Sequence, residues 1–211
     1  MTNAFHPFGF SEVGYLLGAK PRGASYDFPM NSGNGSSYGS GEPVALVNGS
    51  PNQVFPATAY PPAQFEEVIC GIFQSVTYRP SQPGSPVATF PTWVSGTTIY
   101  NGGSGTYSLN VDPFVIYNIQ SNGSLTMNDI GANFNIAGMD NLDSNGNSQV
   151  YLNSSPLANS YWGQVKVIGL APETPSMQVQ GGNNWGDAYT IVQVVINNSL
   201  FKLGTYGASV I

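Results

Sequence analysis

Apolar and polar positions along this chain recur with the period of strands rather than helices. Residues 114–120 are dense in β-branched and aromatic side chains and free of Gly and Pro, the composition of a strand packed on both faces. Asp112-Pro113 opens this stretch, because Pro fixes φ and cannot donate to a central ladder. Ser121-Asn122-Gly123 closes it with residues that tolerate positive φ. Apolar residues continue from Leu125 to Ile136, and residues 111–136 together are expected to form the hub on which other strands are laid. Further strands are predicted over 44–47, 68–76, 90–94, 162–170 and 189–196. In the last of these Thr190, Val192, Val194 and Ile196 share one face, opposite Ile191, Gln193 and Val195. Gly71 is expected to mark a bulge or a close contact. Residues 101–106 read as a tip, and 78–89, 138–160 and 171–184 as long loops. Only 11–17 and 64–67 carry any helical pattern.

The punctuation is dense: 26 glycines and 16 prolines interrupt the chain too often for long helices. Strands between turn signals, with no helical period between them, predict an all-β fold, an antiparallel β-barrel or sandwich with an extended N-terminal arm and long loops. The expected division is an arm and linker over 1–60 and a β domain over 61–211. Phe5, Phe8, Phe10, Tyr15, Leu16 and Leu17 lie in the arm among glycines and prolines that deny them a core of their own, and a Gly/Ser/Asn linker follows at 31–41. Such rings need shelter, either on this chain's own β domain or on a neighbouring subunit.

Composition narrows the function. At 41% hydrophobic and 12% aromatic, the chain can bury a core despite only 8% charged residues. Five bases, Lys20, Arg22, Arg79, Lys166 and Lys202, are scattered, and the net charge is −6, which argues against nucleic acid or an anionic membrane as partner. No apolar run approaches the roughly 20 residues of a membrane helix. The N-terminus lacks the basic start and apolar stretch of a secretory signal, so synthesis in a reducing cytoplasm is expected. Cys70 is single, sits in an apolar run and reads as a core residue.

Candidate chemistry is sparse. His6 is the only histidine, and it lies far in sequence from Cys70, so a nucleophile–histidine centre has little to build on. Glu66 and Glu67 are adjacent and would face opposite sides of a strand. Asp112, Asp129, Asp140 and Asp143 show no spacing that pairs them as acid and base. Asn141, Asp143, Asn145 and Gly146 match the first half of a Ca²⁺ loop, but Leu152 stands where the bidentate Glu belongs, so a polar turn is expected. Sequons at Asn48, Asn122 and Asn153 carry no glycosylation meaning without secretion. The Gly-rich segment 181–187 opens a strand rather than a helix and reads as a turn anchored by Trp185, not a phosphate loop. No catalytic residue, cofactor or metal is expected.

Several segments, taken in order, resemble one family. AFHPFGF, SGNGSSYGSGEPVAL, VICGIFQSVTY, VDPFVIYNIQSNGSLTMNDIGANFNI, QVKVIGL and NNWGDAYTIVQVVINNSLFK are similar to segments of the virion structural proteins of tailed bacteriophages known as capsid decoration, or cement, proteins. The Pro-rich loop at 79–91 and the longer 171–184 loop depart from that pattern. The resemblance covers nearly the whole chain. It implies a non-enzymatic protein on the capsid outer surface, bound to the major capsid protein as a homo-oligomer, dimer or trimer, and stabilising the head. In that role the expected interface residues are Phe5, Phe8, Phe10, Tyr15, Leu16 and Leu17, with Trp185 and Tyr189. The alternative is a receptor- or glycan-binding module of a fibre or tail, in which Trp93, Trp162 and Trp185 would stack on sugars. A glycan-cleaving tailspike would need a visible acid pair.

Overall fold

The computed structural model describes residues 4–18, 25–30, 35–47, 50–53, 68–157, 163–172 and 182–201. The fold is all-β, and every ladder between its strands is antiparallel. Numbered in chain order, the first sheet runs β1 (Ser11–Tyr15), β10 (Val115–Gln120), β15 (Ile191–Ile196), β14 (Val165–Leu170), β11 (Asn133–Phe134). The second runs β2 (Ser25–Met30), β9 (Gly105–Asn110), β6 (Gly71–Tyr78), β4 (Pro43–Val47), β5 (Ser50–Gln53), with β7 (Ala88–Phe90) also on β6. Two short pairs complete it: β3 (Tyr38–Gly39) with β8 (Thr92–Trp93), and β12 (Ile136–Ala137) with β13 (Tyr151–Leu152).

Of the hub expected over residues 111–136, the later part forms β11 at the opposite edge of the first sheet and begins β12, and the central strand is β10. It is buried on both faces except at Ile116, and it is held between β1 and β15, with Asn118 opposite Ser11 on one side and Gln193 on the other. Val115, Tyr117 and Ile119 point into the larger core cluster, together with Val165, Val167, Val192, Val194 and Ile196. The alternation read for β15 holds at 192, 194 and 196, but its other face is also covered, since Ile191 and Val195 are buried. The second sheet is covered on both faces at β4 and β6. Adjacent residues there divide between the two clusters: Ala45 and Ile72 join the larger, while Val44 and Phe73 join a second cluster with Tyr38, Trp93 and Tyr107. Side chains alternate across a strand, so this division makes the second sheet a middle layer, with β3 and β8 contributing to its far side.

Close backbone approach explains two glycines. A Cβ on Gly71 would stand 2.7 Å from the Asn110 carbonyl oxygen, so the expected close contact is there. The bulge of β6 against β9 falls instead between Phe73 and Ser75. A Cβ on Gly39 would collide with the Gly146 carbonyl oxygen, which is how the ribbon after residue 138 lies against β3.

The N-terminal segment differs most from expectation. Residues 11–15 form a strand, not a helix, because β10 offers them a ladder: Glu12 stands opposite Tyr117 and Tyr15 opposite Val115, with a register slip between Glu12 and Gly14. Before residue 60, β1 to β5 enter the sheets, so the described parts of this segment belong to the same body as the later strands. The helix candidate at 64–67, with Glu66 and Glu67, and Trp162 lie outside the described residues.

Candidate interaction surface

Residues 4–10 form a strap that returns to its own chain. The Gln120 side chain holds it from both sides, donating from Nε2 to the Ala4 carbonyl (2.9 Å) and accepting at Oε1 from the His6 backbone N–H (2.8 Å). Gly9 N–H donates to Val150 O and Phe10 N–H to Gly41 O. Phe10 is only 5% exposed and meets the Tyr117 ring edge-on at 5.4 Å. The Phe5 ring lies 5.2 Å from Tyr151 and 5.1 Å from Tyr189. Tyr189 holds its backbone at φ 60°, a left-handed conformation rare for a ring-bearing residue.

The eight expected interface residues therefore separate. Phe10 is core. Phe8, Tyr15, Trp185 and Tyr189 are partly covered by this chain: Trp185 and Tyr15 pack on the larger cluster, and the Tyr15 hydroxyl donates to Asp112 Oδ2 at 2.9 Å. Leu16 and Leu17 remain open, at 48% and 69% exposure, and Phe5 is exposed at 38% although its ring touches Tyr151 and Tyr189. Within the strap Phe10 thus finds its shelter in cis on Tyr117, while Phe5 lies against Tyr151 and Tyr189 with one side exposed, and Gln120 holds the backbone between. The reason is long-range pairing: β10 offers β1 a ladder, and Phe10 has an apolar place beside it.

What that docking leaves exposed is an edge. β1 closes its sheet, so the side away from β10 has no ladder partner among the described residues. Val13, Leu16, Leu17 and Phe114 surround this edge as exposed apolar residues, and the Leu16 N–H donates to the Phe114 carbonyl. Edge strands normally carry Lys or Pro to prevent pairing. Here the sequence Ser-Glu-Val-Gly-Tyr-Leu-Leu carries neither, and only the register slip and Glu12 interrupt it.

The carboxylates serve local structure. Asp129 closes a capping box with Thr126 over the 3-10 turn Met127–Asp129. Asp112 accepts from the Phe114 N–H, and Asp140 from the Ser37 N–H. Asp143 accepts from the N–H groups of Asn145 and Asn147 and from the Asn147 amide, and these bonds, that of the Asn147 side chain foremost, lower its pKa. Its oxygens are thereby turned toward N–H donors, as a polar turn requires and a Ca²⁺ loop does not. No group of three or more potential metal-ligating side chains occurs among the described residues. Cys70 is buried, and burial pushes its thiol up to about 12, far from a nucleophilic thiolate. Trp93 is buried in the second cluster and offers no face to a sugar.

Sequence reasoning missed Glu42. It is fully buried between β3 and β4, where its Oε1 accepts from the Asp140 N–H (3.1 Å) and its Oε2 is hydrogen-bonded to the Ser148 hydroxyl. Burial raises its pKa from 4.5 to about 8, against the lowering effect of those two bonds. The only signal in the sequence is an acid set directly before the apolar run 43–47.

No helix among the described residues is long and apolar enough to cross a membrane. Comparison with known proteins finds no matching family model, no similar curated protein and no similar solved structure.

Proposed function

We propose that the chain is a non-enzymatic capsid decoration protein of a tailed phage. It binds the major capsid protein on the outer surface of the virion, as a homo-oligomer, and stabilises the head. The observation that carries this reading is the open β1 edge with its apolar border of Val13, Leu16, Leu17 and Phe114. A strand edge supplies main-chain bonds to a partner, and flanking apolar side chains supply burial. The ordered resemblance noted in the sequence supports the same reading. Net negative charge suits the outer face, because the inner face meets packaged DNA.

Contact through this edge makes Leu16 and Leu17 the anchors, in place of the strap rings. Purified protein mixed with shells lacking it should co-sediment saturably, at a fixed ratio to the capsid protein. The double variant Leu16→Asp, Leu17→Asp should weaken this binding by about 100-fold or more, as loss of two buried anchors at ~1.5 kcal/mol each implies, with an unchanged melting temperature. Equal binding of the variant, or binding to tails alone, would overturn the proposal.

A further inference from the structure

Residues 141–149 close on themselves as a hairpin. The Gln149 N–H donates to the Asn141 carbonyl at 2.8 Å and the Asp143 N–H to the Asn147 carbonyl at 2.9 Å, with Leu142 bridged to Ser148. Asp143 ties the tip by accepting from the N–H groups of Asn145 and Asn147. Ser148 is the only buried residue of this hairpin. With so little apolar burial its attachment rests on polar contacts, and segments of that kind open before a core does.

The Thr92 hydroxyl donates to the Gly146 carbonyl at 2.9 Å, the Ser148 N–H to the Ser40 carbonyl at 3.3 Å and the Ser37 N–H to the Asp140 carboxylate at 2.8 Å. At the base Glu42 spans both legs, taking the Asp140 N–H on one oxygen and bonding the Ser148 hydroxyl with the other. Among the described residues no cation bonds Glu42, and the charge that bears on it, Asp140, repels. β3 and β6, which bond its backbone through Gly39 and Phe73, bring no charged side chain; Tyr38 lies in the second cluster and Tyr78 packs against it. The strap's His6 has its backbone held at Gln120, and Asp143 at the hairpin tip is a further acid. A carboxyl closed off from water, with no cation beside it, is held neutral.

We infer that the 141–149 hairpin is a flap latched by the neutral Glu42 carboxyl, and that ionisation of Glu42 opens it. Lifting the hairpin brings water to the carboxylate at the expense of polar contacts and one buried serine, whereas the other cover of Glu42 belongs to the sheets. Burial raises the Glu42 pKa to about 8, so the closed form holds a proton that the open form releases. The open fraction therefore grows about tenfold for each pH unit between 4.5 and about 8, then levels off. Asp143 and Asn147 of the flap also wall a cleft of about 380 Å³ that Phe8 and Phe10 line from the strap, so opening bares the strap beside β1. The flap acts in the isolated chain, whatever partner the chain binds.

Limited proteolysis of the full chain with thermolysin, from about pH 6 to about pH 9, tests this through the rate of the cut before Leu142. Dividing by the rate for Glu42→Gln at the same pH removes the protease's own pH dependence. The ratio should climb about tenfold per unit up to about pH 7.5 and flatten above about pH 8, with both sheets uncut. Thr92→Val, which removes one hydroxyl contact to the hairpin, should speed the cut about fivefold at every pH and leave the slope unchanged, on the scale of a single hydrogen bond. In the wild-type chain alone, the carboxyl-carbon NMR signal of Glu42 should titrate near pH 8. A flat ratio would overturn the flap, as would a Glu42 signal that titrates in the ordinary carboxylate range. Cuts spread through both sheets at the rate of the Leu142 cut would make the opening global and overturn it too. An unchanged rate in Thr92→Val would show that the hairpin does not lift as a unit, with the same consequence.

Discussion

Raising the pH from 5 to 8.5 is expected to lower the unfolding free energy by about 3–5 kcal/mol, and Glu42→Gln is expected to flatten that dependence. Glu42 has a folded pKa near 8 and an ordinary value of 4.5, so between those limits the native state holds a proton that the unfolded chain has released. Stability from this group is therefore full below pH 4.5 and is lost as pH rises to about 8, after which it levels off. Asp143 acts in the opposite sense. Its pKa is lowered, so its contribution is present above 3.8 and falls away only in stronger acid, outside the Glu42 window. Gln keeps the shape of a neutral carboxyl and can accept from the Asp140 N–H while donating to the Ser148 hydroxyl. Denaturant unfolding at several pH values checks this. Parallel curves for the two proteins would show that Glu42 is not the titrating group. The consequence is structural, because Glu42 joins the start of β4 to the ribbon that carries Asp140 and Ser148.

Phe10→Ala is expected to cost about 3–5 kcal/mol in the isolated protein, the range for deleting a buried aromatic side chain from a core that does not collapse to fill it. Phe10 packs on Tyr117 and among the larger cluster, so its loss should also weaken the attachment of β1 to β10. If the strap instead reached its shelter only on another molecule, the same substitution would leave the melting curve of the isolated chain where it was. Denaturant unfolding of the isolated protein below its assembly concentration separates the two.

The strands most legible in the sequence are those whose own composition determines them. β10 and β15 are runs of β-branched and aromatic residues without Gly or Pro, and both sit inside the first sheet with cover on each face. The close approach at Gly71 is legible because a glycine inside an apolar strand gives up side-chain packing, which is tolerated where another backbone needs the room. The N-terminal segment is not legible in this way. Ser11 to Tyr15 has one glycine and no sustained alternation, and it becomes a strand only because β10, about a hundred residues later, offers an open ladder. Its neighbours Phe8 and Phe10 look like linker aromatics until Gln120, Gly41 and Val150 supply partners for the backbone around them. Glu42 is hidden for a related reason. Nothing in one acid among eleven reveals that Ser148 and the Asp140 N–H will close over it. Local pattern points the wrong way at these positions because long-range pairing overrides it.

The same pairing moves the expected contact surface. Of the strap rings, Phe10 takes the first of the two expected shelters, on its own chain, Phe5 is covered only on the side facing Tyr151 and Tyr189, and further exposed apolar groups lie along the chain at Val13, Leu16 and Leu17. A protein that binds through this edge presents a strand already paired before assembly, instead of a tail that must fold on contact. Preordering of this kind reduces the entropy lost on binding.

A cryo-EM map of shells carrying the protein tests this most directly. Density for residues 4–18 is expected within the protomer that owns them, with β1, Leu16 and Leu17 against the major capsid protein. Density for residues 4–18 that crosses onto a neighbouring molecule, or a protein found away from the shell, would contradict it.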